Sequence, residues 1–135
     1  MKQDNVFLDA NILFSAAYGS PGISRLWEFY KNRRCVLLAS AYVIEEAKRN
    51  LKDNEPLESL NAYLSDVQIV PEVDHTIPCP IVLPDKDKPV LMAAISAKAD
   101  YLITGDLTHF GNYFGHSVMG VKIMMVRDYI LSVNA

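Results

Sequence analysis

Three aspartates fall in one stretch of the chain, LPDKDKPVLMAAISAKADYLITGDLTHF (residues 83–110): Asp85, Asp87 and Asp106. Two other places carry acid, Asp9 in VFLDAN and the pair Glu45–Glu46 in VIEEA. Carboxylates brought to one point repel. A pair ~4 Å apart costs about 4 kcal/mol at an effective dielectric of about 20, so protons or a cation must relieve the site. Oxygen ligands with no His or Cys set beside them suit Mg²⁺ or Mn²⁺ better than zinc. Such ions sit beside phosphates, lower the pKa of bound water and stabilise the leaving oxygen in phosphodiester cleavage.

Whether these acids meet depends on the elements that carry them. Val6–Leu8 reads as a buried strand ending at Asp9, and a helical segment follows from Ile12 to Tyr18 with Asp9 or Asn11 near its start. Gly19-Ser20-Pro21-Gly22 breaks the chain. Ser20 as N-cap with Pro21 behind it starts a helix to about Asn32, with Ile23, Leu26, Trp27 and Tyr30 at helical spacing. Cys35–Ala39 reads as the second strand. Ser40 then caps a helix to about Leu51, and another helix covers Pro56–Leu64. Val67–Val70 is a third strand at an edge, followed by a proline-bearing surface connection from Pro71 to Pro84. A helix over Asp87–Lys98 and a strand over Tyr101–Thr104 come next. Gly105–Gly120 is rich in glycine and aromatics. Val121–Val126 is the last strand and Arg127–Val133 a terminal helix. Strands alternating with helices mean crossover units and a mostly parallel sheet between helical layers. Ligand sites in such sheets form beyond the carboxyl ends of the strands, where Asp9 and Asp106 both lie.

Each acid also has a bland reading. Asp87 continues the core-facing stripe of Val90, Leu91, Ala94 and Ile95 to the helix start, where it could simply cap. Asp85 lies outside that helix, solvated or at best an outer partner of the site. Glu45 and Glu46 differ by about 100° on a helix, so one of them at most points into a site. Glu46 is nearer the apolar face of Val43, Ile44, Ala47 and Leu51. Asp106 sits behind a hydroxyl and a glycine in Thr104-Gly105-Asp106 and could be a turn cap. Lys48, Arg49 and Lys52 suit the dipole at the end of their helix. His75, His109 and His116 lack HExxH spacing; His109 near Asp106 could touch substrate, but a packing or surface role fits it better. Phe110, Tyr113 and Phe114 could stack bases, with burial the simpler role.

The bulk properties set outer bounds. A chain of 135 residues, half of them hydrophobic and 21% charged, is expected to form one globular domain over residues 1–135. A net charge of −3 gives no whole-protein footprint for nucleic acid, yet leaves room for an enzyme that touches a few phosphates. Two cysteines make no disulfide framework. MKQDNVFLD is no signal peptide and no apolar run reaches the length of a membrane span, so a cytoplasmic location with no membrane partner is expected.

VFLDANILFSA, SAYVIEEAKRNL, DKDKPVLMAAISAKADYLITGD and VKIMMVRDYI, in that order, resemble the PIN-domain family over nearly the whole chain. The resemblance implies a three-layer α/β/α fold with a central mostly parallel sheet, and Mg²⁺- or Mn²⁺-dependent ribonuclease activity. By the same resemblance Asp9, Glu46, Asp87 and Asp106 are the catalytic and metal-holding acids. Asn11, Thr104 and Asp85 are their outer partners, and Lys86, Lys88 and His109 weaker candidates for substrate contact. Leu107, Thr108 and His109 stand where related patterns carry a further acid after T-G-D. Small stand-alone members of the family are often toxins of toxin–antitoxin pairs of VapC type. This implies RNA as substrate, an antitoxin protein as partner and a homodimer. The competing expectation is a non-catalytic module of the same fold that docks a protein partner.

Overall fold

The computed structural model describes residues 2–134. Its centre is β1 (Asp4–Leu8), whose Val6, Phe7 and Leu8 are fully buried, as a continuous apolar run demands of a strand covered on both faces. β1 pairs in parallel with β2 (Cys35–Ser40) on one side and with β4 (Tyr101–Ile103) on the other. β3 (Val67–Val70) extends the sheet beyond β2, and β6 (Val121–Met124) extends it beyond β4. A short β5 (Ser117–Val118) closes the far edge antiparallel to β6, giving the order β3-β2-β1-β4-β6-β5. Helices cover the sheet in a three-layer α/β/α arrangement.

The helices are α1 (Ala10–Ala17), α2 (Pro21–Lys31), α3 (Ala41–Asn50), α4 (Asn54–Leu64), α5 (Lys88–Ser96), α6 (Leu107–Phe110) and α7 (Val126–Asn134). α1 packs on α3 and α4, and α2 on α7. Ser40 caps α3 by accepting from the Val43 amide at 3.4 Å. Ser20 stands at the N-cap of α2 as the sequence suggests, but its side chain makes no cap bond; Pro21 sets the first turn instead. Tyr129 ties α7 to the sheet. It is fully buried, its ring meets Tyr101 and Phe29 edge-on, and its hydroxyl donates to Asp4 at 3.0 Å. Burial pushes that phenol well above its ordinary range. Both cysteines are free thiols. No helix among the described residues is long and apolar enough to cross a membrane.

Several bounds differ from the sequence reading: α1 starts at Ala10, α4 at Asn54, and the last strand ends at Met124, so that Val126 opens α7. The helix expected from Asp87 to Lys98 runs only from Lys88 to Ser96, and Lys98 behind it takes a left-handed φ of 56°. The segment 105–120, to which the sequence reading assigned no element, holds α6, a 3₁₀ turn (Gly111–Tyr113) and β5. Met119 and Gly120, both at positive φ, make the two-residue turn between β5 and β6. Phe110 is fully buried and anchors the segment.

The centre of the sheet tolerates no loss of volume. Leu102→Ala in β4, where the side chain is fully buried, should cost about 2–5 kcal/mol. Urea denaturation would show it as a lower midpoint at unchanged slope. An unchanged midpoint would mean the core is packed elsewhere.

Candidate functional site

β1 and β4 end side by side, with Leu8 opposite Ile103 and the Asp9 amide donating to the Ile103 carbonyl at 3.1 Å. The chain leaves β1 toward β2 on one side and returns as β4 on the other. This is the switch point of the sheet, where a crevice must open beyond the strand ends. Asp9 is buried there at the N-cap of α1. Its Oδ1 accepts from the Ala10 amide at 2.7 Å, and its Oδ2 accepts from the Thr104 hydroxyl at 2.8 Å and the Asn11 amide at 3.3 Å. Thr104, also buried, accepts in turn from Asn11 at 3.2 Å and from the Asp106 backbone amide at 3.1 Å. The Asn11 side-chain Oδ1 accepts from the Gly105 backbone amide at 2.8 Å. One amide and one hydroxyl therefore lock the end of β1 to the turn after β4.

Asp106 opens α6, and its Oδ1 accepts from the His109 amide at 3.1 Å, so it caps that turn while lining the cavity. Asp87 precedes α5 but does not cap it: the side chain makes no cap bond. It is 7% exposed, and its Oδ2 is buried with no hydrogen bond. The loop before it is tied to α3 by the Tyr42 hydroxyl, which donates to the Lys86 carbonyl at 2.6 Å. Glu46 comes in from α3, half-buried, while Glu45 is exposed. Together Asp9, Asn11, Phe14, Glu46, Lys86, Asp87 and Asp106 line a cavity of about 450 Å³, with Ala10 and Asn50 completing its wall.

The charges are strained. Burial pushes the Asp9 carboxyl up to about 6, the Thr104 and Ala10 hydrogen bonds pull it back, and the Asp87 and Glu46 charges add to the rise. Asp87 is raised too, first by burial and then by Asp106 and Glu46, against the opposing pull of His109 and Lys86. The Tyr42 phenol is raised by burial and by the charges of Glu46, Asp87 and Asp9. A buried carboxylate oxygen without a hydrogen bond, among acids that resist ionising together, belongs to a set of oxygens that could hold a cation.

The structure thus brings Asp9, Glu46, Asp87 and Asp106 to one cavity, with Asn11 and Thr104 behind them. Asp85 is a correction. Its side chain is 98% exposed and pairs with Lys88 at 3.0 Å, away from the cavity, so it supports none of the acids. Lys88 is drawn off by the same pair, whereas Lys86 lines the cavity. His109 is the second correction, because the acids do have a histidine beside them. Its Nδ1 stands 2.8 Å from Asp106 Oδ2 and 2.8 Å from Asp87 Oδ2. The signal was the i,i+3 spacing from Asp106, but it carries weight only once residues 107–110 are helical.

Comparison with known proteins agrees with this fold. The family model described as PIN domain matches residues 5–108. Among solved structures, a chain of VapBC2 from Rickettsia felis, bound to a DNA fragment from their promoter, superposes with a TM-score of 0.62. It is 17% identical, and the match covers 90% of this chain and 98% of that one, a likeness of fold. A search of curated proteins found no match.

Proposed function

The chain belongs to the PIN-domain family, and from that premise we propose that it is a Mg²⁺- or Mn²⁺-dependent endoribonuclease, the toxin of a toxin–antitoxin pair. The observation that carries the reading is the single cavity lined by Asp9, Glu46, Asp87 and Asp106, with a buried Asp87 oxygen that receives no hydrogen bond. These four acids would hold the cation. When bound, it supplies positive charge against the phosphodiester and makes the attacking water more acidic.

The chain's own residues do the rest. Thr104 and Asn11 hold Asp9 Oδ2 and the turn after β4 together, so that Asp9 cannot swing away from Asp106. Tyr42 holds the Lys86 carbonyl and so fixes the turn that carries Asp87 ahead of α5. Lys86 is the cavity's cation for a non-bridging phosphate oxygen, and Phe14 gives the wall an apolar face. The antitoxin and the homodimer belong to the same proposal; they rest on the family and on the fold shared with VapBC2.

RNA cleavage by the purified chain in Mn²⁺ or Mg²⁺, against EDTA, tests the proposal. Attack by water leaves linear phosphate ends and needs no 2′-hydroxyl. Cleavage only in the cation, with linear ends, is expected. Cleavage that persists in EDTA and leaves 2′,3′-cyclic ends would overturn it. No cleavage of any RNA, together with no cation-induced rise in melting temperature, would favour the non-catalytic docking module instead.

A further inference from the structure

We propose that His109 is a direct ligand of the cation, so that this site is a mixed oxygen–nitrogen centre selective for Mn²⁺ over Mg²⁺. The inference rests on the acid cavity being a cation site and adds a ligand that the acids alone do not supply. Asp87, Asp106 and His109 each present one ligand atom, and the three atoms lie within 4.8 Å of one another. His109 Nδ1 is 2.8 Å from an oxygen of each aspartate. Two ligands ~2.1 Å from one ion and ~90° apart are themselves about 3 Å apart. The nitrogen is therefore already near the separation from both acids that ligands of one ion require.

Hydrogen bonding alone leaves the arrangement incomplete. Nδ1 carries at most one hydrogen, and its hydrogen bond goes to Asp106 Oδ2. Asp87 Oδ2, equally near, is left buried with no hydrogen bond. A cation in place of that one hydrogen serves all three groups at once, with the imidazole neutral and its hydrogen on Nε2. Carboxylates alone suit Mg²⁺, which demands hard oxygen ligands. An imidazole nitrogen shifts the preference toward first-row transition ions, of which Mn²⁺ still accepts carboxylate readily.

The test is Mn²⁺ bound to the intact chain, read by electron spin-echo modulation and by calorimetry. Nitrogen-14 modulation is expected in the wild type, and it should change to the nitrogen-15 pattern when histidine is labelled. In His109→Gln the modulation should vanish, and Mn²⁺ affinity should fall about tenfold or more while Mg²⁺ affinity changes less than about threefold. Labelling needs no substitution, so the result stands even if His109→Gln folds poorly. Mn²⁺ bound without nitrogen modulation would overturn the inference and leave the acid site standing. No Mn²⁺ bound at all would overturn both.

Discussion

Asp87→Asn is expected to lower cation-dependent RNA cleavage by about a hundredfold or more and, in the same protein, to raise the melting temperature of the metal-free chain. Partners one step removed from a metal already cost ~10- to 100-fold when lost, and Asp87 would be a direct ligand. A hundredfold loss is about 2.7 kcal/mol of transition-state stabilisation. The stability gain has a separate origin. Asp87 Oδ2 is buried without a hydrogen bond, and burial together with Asp106 and Glu46 outweighs the attraction of His109 and Lys86. A neutral amide of the same shape removes that charge, as expected of a side chain kept for chemistry at a cost in stability. Melting in EDTA and cleavage in Mn²⁺ check the two halves. A variant that is less stable and still active would contradict both.

Asp9→Asn should remove most of a pH dependence that the wild type shows without metal. The Asp9 carboxyl rises from 3.8 to about 6 on folding, mainly through burial. Below about pH 4 both folded and unfolded states hold the proton and the group costs nothing. As pH rises, the unfolded chain ionises first, so the folded state loses stability between about pH 4 and pH 6 and stays penalised above. A rise of that size corresponds to roughly 3 kcal/mol. Asp87, raised in the same direction, adds to the slope. The variant keeps an acceptor for the Ala10 amide, and loses the hydrogen bonds that Oδ2 accepts from Thr104 and Asn11, at about 1 kcal/mol each. Denaturation midpoints in EDTA should therefore fall steeply from about pH 4 to about pH 6 for the wild type, and much less for Asp9→Asn. Equal slopes would place the pH dependence elsewhere.

The strands that matter most were legible because their residues leave little choice. Val6–Leu8 is apolar at every position, so it had to be a strand buried on both faces with Asp9 at its end. Val67–Val70 forms a strand with the bounds the sequence suggests. Helical phase separated Glu46 from Glu45, and the stripe through Val90, Leu91 and Ala94 placed Asp87 at the inner side of α5. What stayed hidden depends on packing. α6 has four residues, too few for any periodic signal, and it forms because Phe110 is buried and Asp106 caps it. Only that turn swings His109 back onto the acids. Asp85 went the other way: one residue pair, Lys88 three positions on, is enough to hold it in solvent. β5 is two residues long and exists through its turn at Met119–Gly120.

If the acids after β1 and β4, with those of α3 and the start of α5, act as one cation-dependent catalytic site, neutralising any one of them must stop the chemistry. RNA cleavage by the wild type and by Asp106→Asn, in parallel in Mn²⁺ at equal folded fraction, decides this. Cleavage by the wild type and at least about a hundredfold less by the variant is the expected result. Equal cleavage by the two proteins would contradict it, because the activity would then come from somewhere other than this site.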